Sequence, residues 1–124
     1  MQSSPGSVDI RNILSVCRVG EALNRGLLRE LLGYFIDENQ RRMATLTQAV
    51  DAGNRDTLRH VGHAVRGSAA MLGAGRLHDL AWCLELDAAE TDLTALRGAV
   101  DALGVELDAV VTALHNAHPE AWTD

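Results

Sequence analysis

Residues 93–114 read LTALRGAVDALGVELDAVVTAL, and their apolar side chains recur at alternating spacings of three and four. The positions on this seam are Leu93, Leu96, Val100, Leu103, Leu107, Val110 and Leu114. Such a seam is typical of a helix that packs nearly antiparallel to its neighbours along its length. It predicts a helical bundle in which this last helix ends before Pro119.

Three further long apolar patterns precede this helix. The first extends from about residue 21 to residue 52, with a polar interruption at 39–42 where we expect a bend. The second begins at the N-cap candidate Asn54 and ends at the tight turn 73–75, after which the third continues to about Ala89. Together with the last helix they supply the four helices of a bundle.

The remaining segments are short. We expect Ser7 to cap a short helix that runs to about Arg18, residues 1–6 to be disordered and residues 119–124 to form a C-terminal tail. The chain is therefore predicted to be all-α, an antiparallel up-down-up-down four-helix bundle with an additional short N-terminal helix. This single domain would occupy residues 7–118.

The composition limits the classes of function. The 124 residues carry a net charge of −6, which argues against nucleic acid binding because phosphates require an excess of basic surface. No apolar run approaches the ~20 residues needed to cross a bilayer, and the N-terminus lacks the apolar stretch of a secretory signal. We therefore expect a cytoplasmic protein without membrane insertion.

The cysteines and the basic residues indicate the redox state of the thiols and the kind of genome that encodes the chain. Cys17 and Cys83 lack zinc or redox spacing, so we expect reduced and mostly buried thiols. All eleven Lys and Arg residues are arginine, which indicates the coding bias of a GC-rich, bacterial genome.

His63 is the first candidate functional residue, because it lies on the predicted solvent side of its helix. The core stripe runs through Val61 and Val65, and each is about 200° around the helix axis from His63 at about 100° per residue. Gly67 follows one turn later, although glycine costs about 1 kcal/mol relative to alanine inside a helix. The bare backbone beside the imidazole would admit an approaching protein, and Arg66 flanks the same surface.

The tight turn after this helix allows the next helix to be aligned with it. Reflection of the sequence about Ala74 pairs His63 with Glu85, and Arg66 with Trp82, at similar heights. We expect Glu85 to accept a hydrogen bond from the Nδ1–H of His63, which would leave an outward lone pair on Nε2. Such a histidine is a nucleophile oriented by a carboxylate.

Basic side chains gather on the histidine helix of this acidic protein: Arg55, Arg59, His60 and Arg66. This cluster fits a polyanionic transferred group. Arg66 in particular can donate a bidentate pair of hydrogen bonds to phosphoryl oxygens, and it stays charged at any relevant pH.

Residues 63–85 read HAVRGSAAMLGAGRLHDLAWCLE. The pattern of a His, two residues, Lys-Gly-Ser, a small apolar stretch, Leu-Gly-Ala, Leu and finally Leu-Glu belongs to histidine-containing phosphotransfer (HPt) domains of multistep two-component signalling, which this stretch resembles. The matching positions are His63, Gly67, Ser68, Leu72, Gly73, Ala74, Leu77, Leu80, Leu84 and Glu85. Arg66 stands where lysine is usual, and the likeness extends over about residues 8–115.

The resemblance implies that Nε2 of His63 takes a phosphoryl group from a receiver-domain aspartate and passes it to the aspartate of another receiver. Arg66 would offset the phosphoryl charge, Gly67 would admit the receiver and Glu85 would orient His63. Ser68 would hydrogen-bond nearby backbone or the site. These are the roles that the family pattern assigns.

The same resemblance implies the partners and cofactors. The partners would be receiver domains of a hybrid sensor kinase, of a response regulator or of both, and the chain would act as a monomer. Mg²⁺ would be supplied by the receiver, so this chain would bind no metal, no cofactor and no ATP, and would have no autonomous kinase activity.

Alternatives remain for the bundle and for single residues. The bundle could instead be a non-catalytic docking module, or a regulatory output domain that binds another enzyme. The candidate docking residues are Arg59, His60 and Trp82, although Trp82 could equally pack under the N-terminal helix. His60 is a second candidate acceptor but lacks a glycine at i+4. A metal site formed by His60, His63 and His78 is disfavoured because no inward acidic cluster accompanies them.

Overall fold

The computed structural model describes residues 4–117 and 119–122. In chain order its elements are α1 (Arg11–Val16), β1 (Arg18–Val19), β2 (Ala22–Leu23), α2 (Arg25–Ala52), α3 (Arg55–Met71), α4 (Gly75–Asp87), α5 (Leu93–Ala117) and a 3₁₀ turn at Pro119–Ala121. Each long helix packs against the next one in the chain, and α5 packs against α2. The four helices therefore surround one core. The predicted four-helix bundle with a short N-terminal helix is confirmed.

Leucine dominates the core, because every long helix directs an apolar stripe inward. The fully buried leucines are Leu28, Leu32, Leu46, Leu58, Leu72, Leu77, Leu84, Leu96, Leu103 and Leu114. Within the described residues, no helix is long and apolar enough to cross a bilayer.

Helix α2 continues without a break through residues 39–42, the polar stretch at which we expect a bend. Asn39 is fully buried in this stretch, and its Nδ2 donates to the carbonyl oxygen of Phe35 at 2.7 Å. The amide is therefore satisfied within the helix, and a polar residue at this position does not break it.

The segment before α2 differs from its prediction. Ser7 does not cap a helix, and α1 begins only at Arg11. Residues 18–19 pair with residues 22–23 in a short antiparallel hairpin that the sequence pattern did not predict. Because this hairpin uses residues assigned to the long helix, α2 begins at Arg25 rather than near residue 21, with Asn24 as its N-cap.

The predicted disorder of residues 1–6 is wrong for Gly6, and residues 1–3 lie outside the described part of the chain. Gly6 is buried, and its N–H donates to Oε2 of Glu106 on α5 at 2.7 Å. Glu106 is only 3% exposed, and its Oε1 lies 3.5 Å from Nε of Arg76. A buried carboxylate thus ties the N-terminal segment to the bundle.

The described part of the C-terminal tail also packs on the bundle. The ring of Trp122 stacks on that of His115 with 4.3 Å between centroids, and its Nε1 donates to the carbonyl oxygen of Leu114 at 3.4 Å. Ala121 is buried. Residues 119–122 are therefore a folded extension of the domain and not a free tail.

The two thiols have different environments. Cys17 is fully buried, and burial raises the pKa of its thiol. Cys83 is exposed, contrary to the expectation of burial, because it lies beside Trp82 on the outer side of α4.

The turn between α3 and α4 requires glycine at position 73. Gly73 has φ +59°, and a Cβ placed there would overlap the carbonyl oxygen of Asp9, whose N–H donates to the carbonyl oxygen of Leu72 at 3.0 Å. This turn sets the register between α3 and α4, which carry the site described below.

We expect Gly73→Ala to lower the free energy of unfolding by about 2–5 kcal/mol, measured by urea denaturation. A left-handed conformation costs a side chain about 1–2 kcal/mol, and overlap with Asp9 adds about 1–3 kcal/mol. Gly20→Ala is the matched control, because Gly20 has φ +62° and open space around its Cβ position. Equal losses in the two variants would show that the contact with Asp9 contributes nothing.

Candidate functional site

His63 lies on the solvent side of α3. Its side chain is 65% exposed, whereas Leu58, Val65 and Ala69 of the same helix are buried in the core. The imidazole is therefore accessible to a protein partner from outside the bundle.

Glu85 on α4 faces His63 across the interface between the two helices. Its Oε1 lies 2.9 Å from Nδ1 of His63, and its side chain is mostly shielded from solvent at 21% exposure. A carboxylate only accepts, so this contact is a hydrogen bond when Nδ1 carries the ring proton. In that tautomer Nε2 has the lone pair, and the ring can act as a nucleophile at Nε2.

Arg66 is held against the site by three groups. Its Nη2 lies 3.0 Å from Nδ1 of His63, its Nε lies 2.9 Å from Oε2 of Glu85, and its Cζ lies 4.2 Å from the centroid of the Trp82 ring. Among the described residues, no donor makes a well-directed hydrogen bond to the buried Oε2. Arg66 therefore attracts this oxygen as an ion-pair partner at short distance rather than through an aligned N–H.

The contacts of Glu85 and Arg66 with Nδ1 are mutually exclusive as hydrogen bonds. Glu85 requires a proton on Nδ1, whereas the guanidinium of Arg66 is a donor and requires the lone pair there. The site therefore supports two tautomers of His63, and only the one favoured by Glu85 exposes a lone pair on Nε2.

Gly67 leaves the helix surface beside His63 open. A Cβ at this position would meet nothing within 4 Å, so packing within this chain does not require glycine here. Gly67 is exposed one turn after His63, where the missing side chain leaves space for a second molecule.

Ser68 is engaged away from this surface. It is 8% exposed, and its Oγ accepts a hydrogen bond from Nη1 of Arg42 on α2 at 2.7 Å. Nη1 of Arg42 also donates to Oδ1 of Asn39 at 3.2 Å. Sequence reasoning missed Arg42, because nothing in the local pattern connects it with a serine 26 positions away.

The residues of the predicted basic cluster do not all face one site in the structure. Arg55 donates to the carbonyl oxygens of Ala88 and Thr91 at 3.1 and 2.6 Å, so it holds the end of α4 instead of facing a ligand. Arg59 is half-exposed and lies 3.4 Å from Nε2 of His60 through its Nη2. Arg59 and His60 stay on the outer surface of α3, one turn before His63.

Trp82 is 40% exposed on α4, and its ring is partly covered by Arg66. The pairing of Arg66 with Trp82 is thus a direct contact. The ring of His78 lies 6.2 Å from that of Trp82, centroid to centroid, on the same helix. Trp82 therefore lies at the border between the His63 site and the open surface of α4.

The bundle thus presents an exposed histidine and a facing carboxylate on two adjacent helices. Residues 30–117 match the family model of the Hpt domain, and the chain belongs to this family. Among solved structures it is similar to histidine-containing phosphotransfer protein B (HptB) from Pseudomonas aeruginosa PAO1, with a TM-score of 0.78 and 24% identity over 95% of this chain and 98% of that one. No curated protein matched the sequence.

Proposed function

We propose that this chain is a phosphorelay intermediate that carries the phosphoryl group on Nε2 of His63. The Nε2 lone pair attacks the phosphorus of a receiver-domain aspartyl phosphate. An N–P bond forms, the acyl O–P bond breaks, and the aspartate leaves as a carboxylate. The reverse step delivers the group to the aspartate of a second receiver, so His63 is regenerated.

The contact between His63 and Glu85 is the observation that carries this proposal. With Nδ1–H bonded to Oε1 of Glu85 at 2.9 Å, the lone pair of the exposed ring lies on Nε2. A carboxylate in this position also stabilises the positive charge that develops on the ring during attack. Membership of the Hpt family supports the same chemistry.

Arg66 would offset the charge of the bound phosphoryl group after its guanidinium moves from Nδ1 towards Nε2. Gly67 would let the receiver surface approach, and Arg59, His60 and Trp82 would contact it. Mg²⁺ would come from the acidic pocket of the receiver, which is where the acyl phosphate is bound. The relay would operate in the cytoplasm between a hybrid sensor kinase and a response regulator, with this chain as a monomer.

Intact-mass spectrometry after incubation with phosphoramidate tests the proposal without a cognate partner. We expect one acid-labile phosphoryl group per chain, with fragmentation assigning it to His63. Absence of labelling by phosphoramidate and also by a phosphorylated receiver that binds the chain would favour the docking function instead.

We expect Glu85→Leu to slow phosphoramidate labelling by about 10- to 100-fold. Loss of a hydrogen bond to a charged group is worth about 1.5–3 kcal/mol, and Arg66 would then be the remaining neighbour of Nδ1 and favour the unreactive tautomer. Glu85→Gln keeps an acceptor oxygen and should retain most of the rate. Equal rates for Glu85→Leu and the unmodified protein would contradict the orienting role.

A further inference from the structure

Trp82 fixes the position of a positive charge beside His63. The guanidinium of Arg66 lies over its ring at 4.2 Å, and the Arg66 side chain is only 23% exposed. An arginine on a helix surface ordinarily samples many rotamers, and a stacked aromatic face restricts that sampling. The indole thus selects one placement of the guanidinium.

This placement brings Arg66 to the ring nitrogen that does not carry the phosphoryl group. Nη2 of Arg66 lies 3.0 Å from Nδ1 of His63, the same nitrogen that Oε1 of Glu85 contacts at 2.9 Å. Because Arg66 can only donate and Glu85 can only accept, the two side chains stabilise opposite tautomers of His63. Any group that holds Arg66 in place therefore changes the ratio of the two His63 tautomers.

We propose that Trp82 is a positioning residue that sets the tautomer of His63 through Arg66. Stacked on Trp82, Arg66 supports the tautomer with the proton on Nε2 and opposes Glu85. An arriving phosphoryl anion draws the guanidinium towards itself; the ring then releases its Nε2 proton to water and takes up a proton from water at Nδ1, where Glu85 accepts its hydrogen bond. The inference rests on the proposed function because it takes Nε2 as the reacting atom.

The proposed role of Trp82 requires the planar guanidinium of Arg66. Its Cζ lies over the indole ring at 4.2 Å, while its Nη2 lies 3.0 Å from Nδ1 of His63 and its Nε lies 2.9 Å from Oε2 of Glu85. A lysine ammonium is a point charge without a planar face, and could not make the three contacts together. The departure of Arg66 from the usual lysine thus fits the presence of Trp82 one helix away.

¹⁵N NMR of the imidazole nitrogens measures the tautomer ratio directly. Spectra are recorded in alkaline buffer, and only the signals of the neutral ring are compared. We expect Trp82→Leu to shift the ratio about two- to fivefold towards Nδ1–H, the change expected from loss of an exposed cation–π contact. Trp82→Phe keeps an aromatic face and should shift it less.

Two controls distinguish the positioning of Arg66 by Trp82 from a general disturbance of helix α4. In an Arg66→Gln background, Trp82→Leu should leave the ratio unchanged, because the side chain that transmits the effect is gone. Leu86→Ala alters another exposed apolar residue one turn further along α4 and should also leave the ratio unchanged. Circular dichroism checks that each variant keeps its helical content.

The proposal is overturned if Trp82→Leu leaves the tautomer ratio unchanged, or shifts it equally with and without Arg66. Slower transfer from a receiver at an unchanged ratio would make Trp82 a docking residue only, which also overturns it. Phosphoramidate labelling of the same samples tests the relay separately. A shifted ratio with no labelling of His63, either by phosphoramidate or by a phosphorylated receiver that binds the chain, would refute the relay and leave the positioning role intact, and labelling with an unshifted ratio would do the reverse.

Discussion

Replacement of His63 by glutamine is expected to abolish phosphoramidate labelling while the protein stays folded. Glutamine keeps a polar side chain of similar reach but has no ring nitrogen to attack phosphorus. The side chain is 65% exposed, so its loss should change the free energy of unfolding by less than about 1 kcal/mol. Intact mass and thermal unfolding of the same sample measure both quantities.

His60→Gln is the matched control for this variant. His60 lies one turn earlier on the exposed side of α3, and the structure gives it no carboxylate partner comparable with Glu85 among the described residues. Its replacement should leave labelling unchanged. Labelling that persists in His63→Gln and disappears in His60→Gln would transfer the acceptor role to His60.

Gly67→Leu is expected to reduce phosphoryl transfer from a receiver by about 5- to 150-fold and to leave phosphoramidate labelling unchanged. A Cβ at Gly67 meets nothing within 4 Å in the free protein, so the new side chain would project into the space that a receiver must enter. Overpacking of an interface costs about 1–3 kcal/mol, which corresponds to this range of rates. A small donor needs no such space.

Gly98→Leu supplies the control, because Gly98 is also an exposed helical glycine with open space around its Cβ position, but lies on α5. Both substitutions should stabilise the helix by up to about 1 kcal/mol, as replacement of an interior glycine does. Only Gly67→Leu should slow the receiver reaction. Equal transfer rates for the two variants would show that the gap beside His63 is not where the receiver docks.

The sequence predicted the bundle because its apolar residues recur with the period of a helix. The three-and-four spacing on α5 and the Gly53–Asn54 stop and cap specify helices and turns locally. The short turn between α3 and α4 also explains why simple reflection about Ala74 brought His63 next to Glu85. Antiparallel helices joined by a tight turn have a register fixed by counting residues.

What the sequence did not predict depends on side chains that are distant along the chain or on very short elements. The pairing of Arg42 with Ser68, and that of Glu106 with Gly6, joins residues with no common local pattern. The hairpin at 18–23 contains only two residues per strand, too few for an alternation to be recognised. The competition at Nδ1 likewise requires interatomic distances that spacing cannot supply.

The attachment of Gly6 to Glu106 bears on where this domain begins as a folding unit. The match to the family starts at residue 30, within α2, yet a carboxylate on α5 that is almost completely shielded from water takes its hydrogen bond from residue 6. A fragment cut at the start of the family match would keep Glu106 inside the bundle and remove the N–H that satisfies it. The segment that packs on the bundle thus begins well before the family match, and a fragment meant to keep the fold should retain the chain from Gly6 onwards.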